Sequence, residues 1–269
     1  MSASGHQQPV RSLSPEGLLP DAYQPFNWRL SNRCILNVST YYKQPLELLK
    51  KRWYEGRESA RTGPSSLQFV PSLDQYWHMS LTLLTDRLRL TPLVDADIDL
   101  SLEIFTDPVV VKYVCDLMTE AQIRQEMSNW TKRGGNGGIG IWRIAHRKTG
   151  EKFGSALLLP MPIDEDDTDY SLVVLGEMPN GDIEIGYCLK RSAWGQGYAT
   201  EACRRLLRFA FEETPLNEVV ASFNEENVPS KRVLEKSGLV DRGHMRCYGK
   251  EGPNFRITRD EWNELQKLV

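Results

Sequence analysis

Gly195 and Gly197 stand one residue apart in the run K-R-S-A-W-G-Q-G-Y-A-T-E-A, at a point where one periodicity gives way to another. Upstream, Asp182–Leu189 (D-I-E-I-G-Y-C-L) reads as a strand; downstream, Ala199, Cys203, Leu206 and Ala210 recur at helical spacing. A strand that turns through glycine into a helix makes an anion site. Glycine lets backbone approach a ligand, and the first helical N–H groups, unpaired within the helix, point at the charge. The cargo this suggests is a phosphorylated cofactor, and the spacing alone leaves open which one. No G-x-x-x-x-G-K-[ST] run occurs, so a Walker loop is excluded. A dinucleotide fingerprint needs a third glycine, where Thr200 stands here, and opens an early βαβ unit, whereas this turn lies late in the chain. On the strand that feeds the turn, Glu184 shares a face with Gly186 and Cys188, because side chains alternate along a strand.

These residues need a frame. From residue 81 the pattern is regular: Leu84–Leu93 alternates as a strand, and Asp95–Phe105, Asp107–Val114 and Glu120–Lys132 read as helices, the last closed by Arg133–Gly138. Ile139–His146 and Lys152–Leu159 are strands joined by a Lys148-Thr149-Gly150 hairpin signal. Met161–Asp182 is a long loop with seven acids and no Lys or Arg. After the glycine turn come a helix from about Tyr198 to Glu213, a strand over Asn217–Phe223, a short helix Val228–Ser237 and a strand over Leu239–Tyr248. A last strand, Phe255–Thr258, and a helix, Asp260–Leu268, close the chain. Hairpins mixed with one strand–helix–strand unit predict an α+β fold with a mixed sheet.

Residues 1–80 differ in character. The first 20 are rich in Ser, Pro, Gly and Gln and read as a mobile arm; Pro45–Glu55 has the pattern of a short helix, and the surrounding tyrosines and tryptophans suggest burial. The segment carries nine Lys/Arg against six Asp/Glu, a basic extension on an acidic body. Its function is not legible. Residues 81–269 are expected to form the catalytic domain.

With 40% hydrophobic and 26% charged residues and a net charge of −3, the 269-residue chain has the composition of a soluble protein. Nothing in that balance calls for nucleic acid or a membrane as partner, and no apolar run approaches the roughly 20 residues of a membrane span. The N-terminus has no secretion-signal pattern. Cys34, Cys115, Cys188, Cys203 and Cys247 are odd in number and lack C-x-x-C spacing, which points to reduced thiols in the cytoplasm and to no metal site.

W-G-Q-G-Y-A-T-E-A resembles the acetyl-CoA signature of the GNAT (GCN-five-related) N-acetyltransferase superfamily, in the branch that includes the ribosomal-protein acetyltransferases RimJ and RimL. The resemblance continues through N-x-x-S at Asn227–Ser230, V-L-E-K-S-G-L at Val233–Leu239 and the terminal R-I-T-R-D-E-W, and covers roughly residues 81–269. Trp194 departs from the signature's usual Gln/Arg, but the backbone amides are what bind pyrophosphate. The resemblance implies a mixed, mostly antiparallel twisted sheet flanked by helices, with two central strands splayed to admit acetyl-CoA. It implies that the amides of Trp194, Gly195, Gln196, Gly197, Tyr198, Ala199 and Thr200 hold the pyrophosphate. It further implies that Cys188, Leu189 and Lys190 pair their backbone with the pantetheine arm, much as a peptide adds to a sheet edge, and that Asn227 hydrogen-bonds the same arm.

Acetyl transfer from thioester to amine requires an acceptor proton to leave, charge on the carbonyl oxygen to be stabilised and the thiolate to depart. Glu184 is the expected base, since E-I-G-Y-C resembles the strand of histone acetyltransferases that carries a glutamate there; a solvated or salt-bridged strand glutamate is the other reading. Ser230 is expected to serve the thiolate, or to act only as a binding or capping hydroxyl; Leu234 stands where many relatives carry a tyrosine. The oxyanion donor would be a backbone N–H near Leu189. Glu201 is expected to pair with Arg205 along its helix, Tyr248 to line the acceptor pocket or the core edge, and Asp164–Asp169 to be a solvated run or to attract a cationic amine. The expected activity is acetyl transfer to a protein N-terminus, a lysine or a small-molecule amine by a monomer or homodimer. The alternative is a silent CoA-binding regulatory or scaffold module.

Overall fold

A computed structural model describes residues 81–267. The expectations for residues 1–80, including the mobile arm and the Pro45–Glu55 helix, lie outside the described residues. Nine strands form one sheet: β1 (Leu83–Leu84), β2 (Leu88–Pro92), β3 (Arg133–Gly134), β4 (Ile139–His146), β5 (Lys152–Pro160), β6 (Ile183–Leu189), β7 (Glu218–Ala221), β8 (Val240–Cys247) and β9 (Lys250–Thr258). The order across the sheet is β1-β2-β4-β5-β6-β7-β9-β8, with β3 paired to β4. Helices α1 (Ile98–Phe105), α2 (Pro108–Val111), α3 (Glu120–Trp130), α4 (Tyr198–Glu213), α5 (Val228–Ser237) and α6 (Arg259–Gln266) complete the described part. The α+β expectation holds, and none of these helices is long and apolar enough to cross a membrane.

The one parallel pairing is β6 with β7, and it consists of a single register pair, Glu184↔Val220; every other neighbour pair is antiparallel. Past Glu184 the two strands part, so β6 runs on to Leu189 with one edge unpaired. On one face, α4 buries Tyr198, Ala202, Leu206 and Phe209 against the sheet, with Trp142 of β4 meeting Phe209 edge to face at 5.4 Å. Ile141, the residue before it on β4, points to the opposite face, where α1 and α3 pack. Local chemistry sets the boundaries. Thr119 with Gln122 and Thr258 with Glu261 are capping boxes that start α3 and α6.

Two strand expectations change. Leu84–Leu93 is a hairpin rather than one strand, because the Thr85 hydroxyl accepts from Leu88 N–H at 2.8 Å and closes a tight turn over Asp86-Arg87. The last strand begins at Lys250, not Phe255: β8 and β9 are joined through Tyr248 (φ 52°) and Gly249 (φ 71°), two successive left-handed residues of the kind a tight hairpin demands. Tyrosine in the first of those positions concealed the turn.

Candidate functional site

Strand β6 carries a different chemistry at each end. At its C-terminal end, Gly195 and Gly197 have φ values of 72° and 78°, in the left-handed region that glycine tolerates without strain. A side chain at Gly195 would meet nothing within 4 Å, so conformation rather than crowding selects glycine there. The first intrahelical bond of α4 runs from Glu201 N–H to Gly197 C=O at 3.1 Å. The amides of Tyr198, Ala199 and Thr200 are therefore unpaired within the helix, and they stand at its positive end.

The turn is clamped from outside. Arg87, in the β1–β2 turn, donates to the Gln196 carbonyl at 2.9 Å and to Glu201 at 2.6 Å, and its guanidinium covers the Tyr198 ring at 4.7 Å. Tyr198 in turn stacks on Phe153 at 4.6 Å, so its ring belongs to the core. Burial works against ionisation of Glu201, yet hydrogen bonds from Thr85 and Arg87 hold its carboxyl below the ordinary range. Glu201 does not pair with Arg205, as expected from helical spacing. It reaches the neighbouring hairpin instead, and Arg205 bonds Glu213 at 3.3 Å. Trp194 ties the turn to β6 through its indole N–H, which donates to Leu189 C=O at 2.7 Å, and Gln196 donates to Ser192 C=O at 2.9 Å.

The β5–β6 register decides which backbone groups on β6 face the gap. Lys190 N–H donates to Phe153 C=O at 2.9 Å and Lys190 C=O accepts from Ala193 N–H at 3.0 Å. Hydrogen bonding alternates along an antiparallel pair, so Cys188, two residues back, also turns its backbone toward β5. This corrects the expectation that Cys188, Leu189 and Lys190 all offer backbone to an incoming chain. Leu189 and Tyr187 face the open side, and Leu189 has its N–H to offer, its carbonyl being held by Trp194. Gly154 permits this close strand contact: a side chain there would collide with Cys188 C=O and Leu189 Cα.

The N-terminal end of β6 borders a cavity of about 900 Å³ that opens between β6 and β7. Glu184, Cys188, Asn227 and Ser230 line it together; Leu189, Lys190 and Trp194–Thr200 lie outside its lining, at the far end of the strand. Glu184 is 8% exposed, accepts a hydrogen bond from the Tyr248 hydroxyl and pairs with no cation among the described residues, unlike a solvated or salt-bridged strand glutamate. Burial first, and then the charge of Asp167, raise its pKa to about 7 against the pull of the Tyr248 bond. Asp167 is also raised to about 7, by burial and by Glu126, while the Thr168 amide pulls the other way. Burial drives the Cys188 thiol up to about 12, leaving it a packing group rather than a nucleophile.

Asn227 caps α5, its Oδ1 accepting from Ser230 N–H at 3.2 Å, so its Nδ2 is left to donate elsewhere. The Ser230 hydroxyl lies 3.1 Å from the Tyr187 hydroxyl, which reaches across from β6. Of the two positions expected for Tyr248, pocket and core edge, the structure has the first: it lines the cavity and holds Glu184. Its backbone N–H donates to Pro162 C=O, and Gly249 N–H to Ile163 C=O, fastening the β8–β9 turn onto the acidic loop. Within that loop Asp164, Glu165 and Asp166 are exposed, but Asp167 and Thr168 turn inward. Sequence reasoning did not single out Glu126, Tyr187 or Arg87; each acts through a partner more than 40 residues away, and no local pattern marks them.

Comparison with known proteins gives a consistent result. Residues 87–240 match the family model described as acetyltransferase (GNAT) domain. The protein YkkB of Bacillus subtilis is 34% identical over 170 residues, covering 62% of this chain and 90% of that one. FsC-acetyl coenzyme A-N(2)-transacetylase of Aspergillus fumigatus is 30% identical over 198 residues, covering 69% and 80% respectively. Among solved structures, a GNAT-family acetyltransferase from Bacillus anthracis superposes with a TM-score of 0.52 at 20% identity, covering 66% of this chain and 99% of that one.

Proposed function

The chain belongs to the GNAT acetyltransferase family, and on that premise we propose that it carries an acetyl group from acetyl-CoA directly to a primary amine in a ternary complex. The observation that carries this reading is a single strand with a buried glutamate at one end and an amide-lined glycine turn at the other, unzipped from its parallel neighbour in between. Acetyl-CoA as donor also accords with the relative named for that transfer. We assign its pyrophosphate to the amides of residues 195–200 and its amide-bearing arm to the open edge of β6, with Asn227 Nδ2 as a donor from α5.

In this scheme Glu184, half ionised near pH 7 and increasingly so above it, takes a proton from the acceptor ammonium. The freed amine nitrogen attacks the thioester carbon, and the Leu189 N–H stabilises the oxygen as charge develops. The C–N bond forms and the C–S bond breaks; the departing thiolate takes a proton from Ser230, whose hydroxyl lies 3.1 Å from that of Tyr187, and the second proton shed by the nitrogen as it becomes the amide returns through solvent to that hydroxyl pair. No covalent enzyme intermediate is required.

We place the chain nearest the RimJ/RimL-like branch on the W-G-Q-G-Y-A-T-E-A turn and Ser230. A reducing, cytoplasmic setting is supported by the free thiols Cys115, Cys188, Cys203 and Cys247. The test is acetyl-CoA turnover followed as free thiol across a panel of amines. Thiol release that depends on acceptor is expected. Tight CoA binding with no such release would instead make the protein a CoA-binding module.

A further inference from the structure

Proton transfer at Glu184 uses one carboxylate of the cavity lining and leaves two idle, buried Glu126 and half-buried Asp167. Glu126, on α3, is 9% exposed; its Oε2 accepts from Asn129 at 3.0 Å, whereas its Oε1 has no hydrogen bond among the described residues and opens on the cavity. Asp167 turns inward from the acidic loop with one oxygen on the Thr168 amide at 2.7 Å. Neither is joined to a Lys or Arg by an ion pair among the described residues. Tyr170 stands beside both with a phenol that makes no hydrogen bond there, its ionisation suppressed first by burial and then by Asp167, Glu126 and Glu184. Like charges gathered out of water without a counter-ion destabilise a fold unless something else compensates them. The one lysine in the lining, Lys132, directs its Nζ to the Tyr170 carbonyl at 3.5 Å rather than to either acid.

We propose that Glu126 and Asp167 form a subsite for a second positive charge on the acceptor, so that the preferred substrate class is a small amine bearing a further ammonium group. Resting on the acetyltransferase reading, the inference assigns one ammonium to Glu184, where it is deprotonated, and the other to Glu126 and Asp167, where it stays charged. The Tyr170 hydroxyl supplies a neutral hydrogen bond between them.

The test compares α,ω-diamines of three to six carbons with monoamines of the same length, for the full chain with acetyl-CoA. At least one diamine should exceed its monoamine at least tenfold in kcat/KM, chiefly through KM. Asp167→Asn should cut that ratio severalfold, and Glu126→Gln should do the same if the first variant fails to fold. Monoamines equal to or better than diamines at every length would overturn the subsite while leaving amine acetylation intact. If no amine releases thiol, calorimetry of 1,6-diaminohexane against the CoA-loaded protein decides. Binding that hexylamine does not show would sustain the subsite and sink the acetyl-transfer reading. Equal or absent binding of the two would remove the subsite.

Discussion

Strand β6 is seven residues long, and its two ends are electrostatic opposites. At Glu184, itself buried, the strand borders buried Glu126, half-buried Asp167 and two suppressed phenols, gathered from α3, the acidic loop and the β8–β9 turn. At Leu189 it runs into unpaired helix amides, with Arg87 clamped against the glycine turn. One end suits a cation that must lose a proton, the other an anion that must only be held. The strand between them, freed from β7, has an open edge, the one proposed to take the amide-bearing arm of acetyl-CoA. Charge is sorted along one element, so donor and acceptor cannot exchange places without a mismatch at both ends.

Substitutions that affect one end and spare the other sharpen this contrast. The largest effect is expected from Glu184→Gln, which keeps shape and removes the base: kcat/KM at pH 7 should fall by about 10²–10⁴-fold, with CoA affinity little changed by calorimetry. Gly197→Val strikes the opposite end. A β-branched residue is strained at φ 78°, so the turn must rebuild and CoA affinity should weaken about 10- to 100-fold, the worth of one or two lost charge-assisted hydrogen bonds. The ratio between diamine and monoamine acceptors should survive that change, because the acid end is untouched. An effect of Gly197→Val on acceptor choice would show that the two ends are not separate.

How far each end was legible from sequence follows from how it is built. The glycine turn is local: the strand, Gly195, Gly197 and the apolar stripe of α4 sit in consecutive residues, and the helix Tyr198–Glu213 is bounded as its periodicity indicated. Glu184 and Ser230 could be picked out because they lie within recognisable blocks. The surroundings of Glu184 could not. Tyr248 reaches it only through a turn that places a tyrosine at φ 52°, and Asp167 is one acid among several that differ only in which way the loop folds. The Glu201 misreading has the same root. Helical spacing offered Arg205, while the fold supplied Arg87, 114 residues away, with better geometry.

Smaller effects probe the acid end from within. Tyr248→Phe removes the hydrogen bond that lowers the Glu184 pKa, so the carboxyl should titrate higher. Activity at pH 7 should drop about 3- to 10-fold and recover toward wild type by pH 9; a uniform loss at all pH values would make Tyr248 a packing residue only. The smallest effect is on stability. A carboxyl whose pKa is raised from 4.5 in the unfolded chain to about 7 in the fold gives its full stabilisation below pH 4.5 and loses it as pH climbs toward 7. Glu184→Gln should therefore raise Tm at pH 8, by roughly 2–4 °C, and gain less at pH 5. A lower Tm at both pH values would show that the ionised carboxylate is not a strained group.

The measurement that bears most directly on the buried glutamate as base is the pH dependence of kcat/KM for wild type and Glu184→Gln with one amine acceptor. Wild-type activity should rise through an apparent pKa near 7, and the variant should lack that limb, following only the titration of the free amine. A wild-type limb near 7 that persists unchanged in Glu184→Gln would assign the proton transfer to another group.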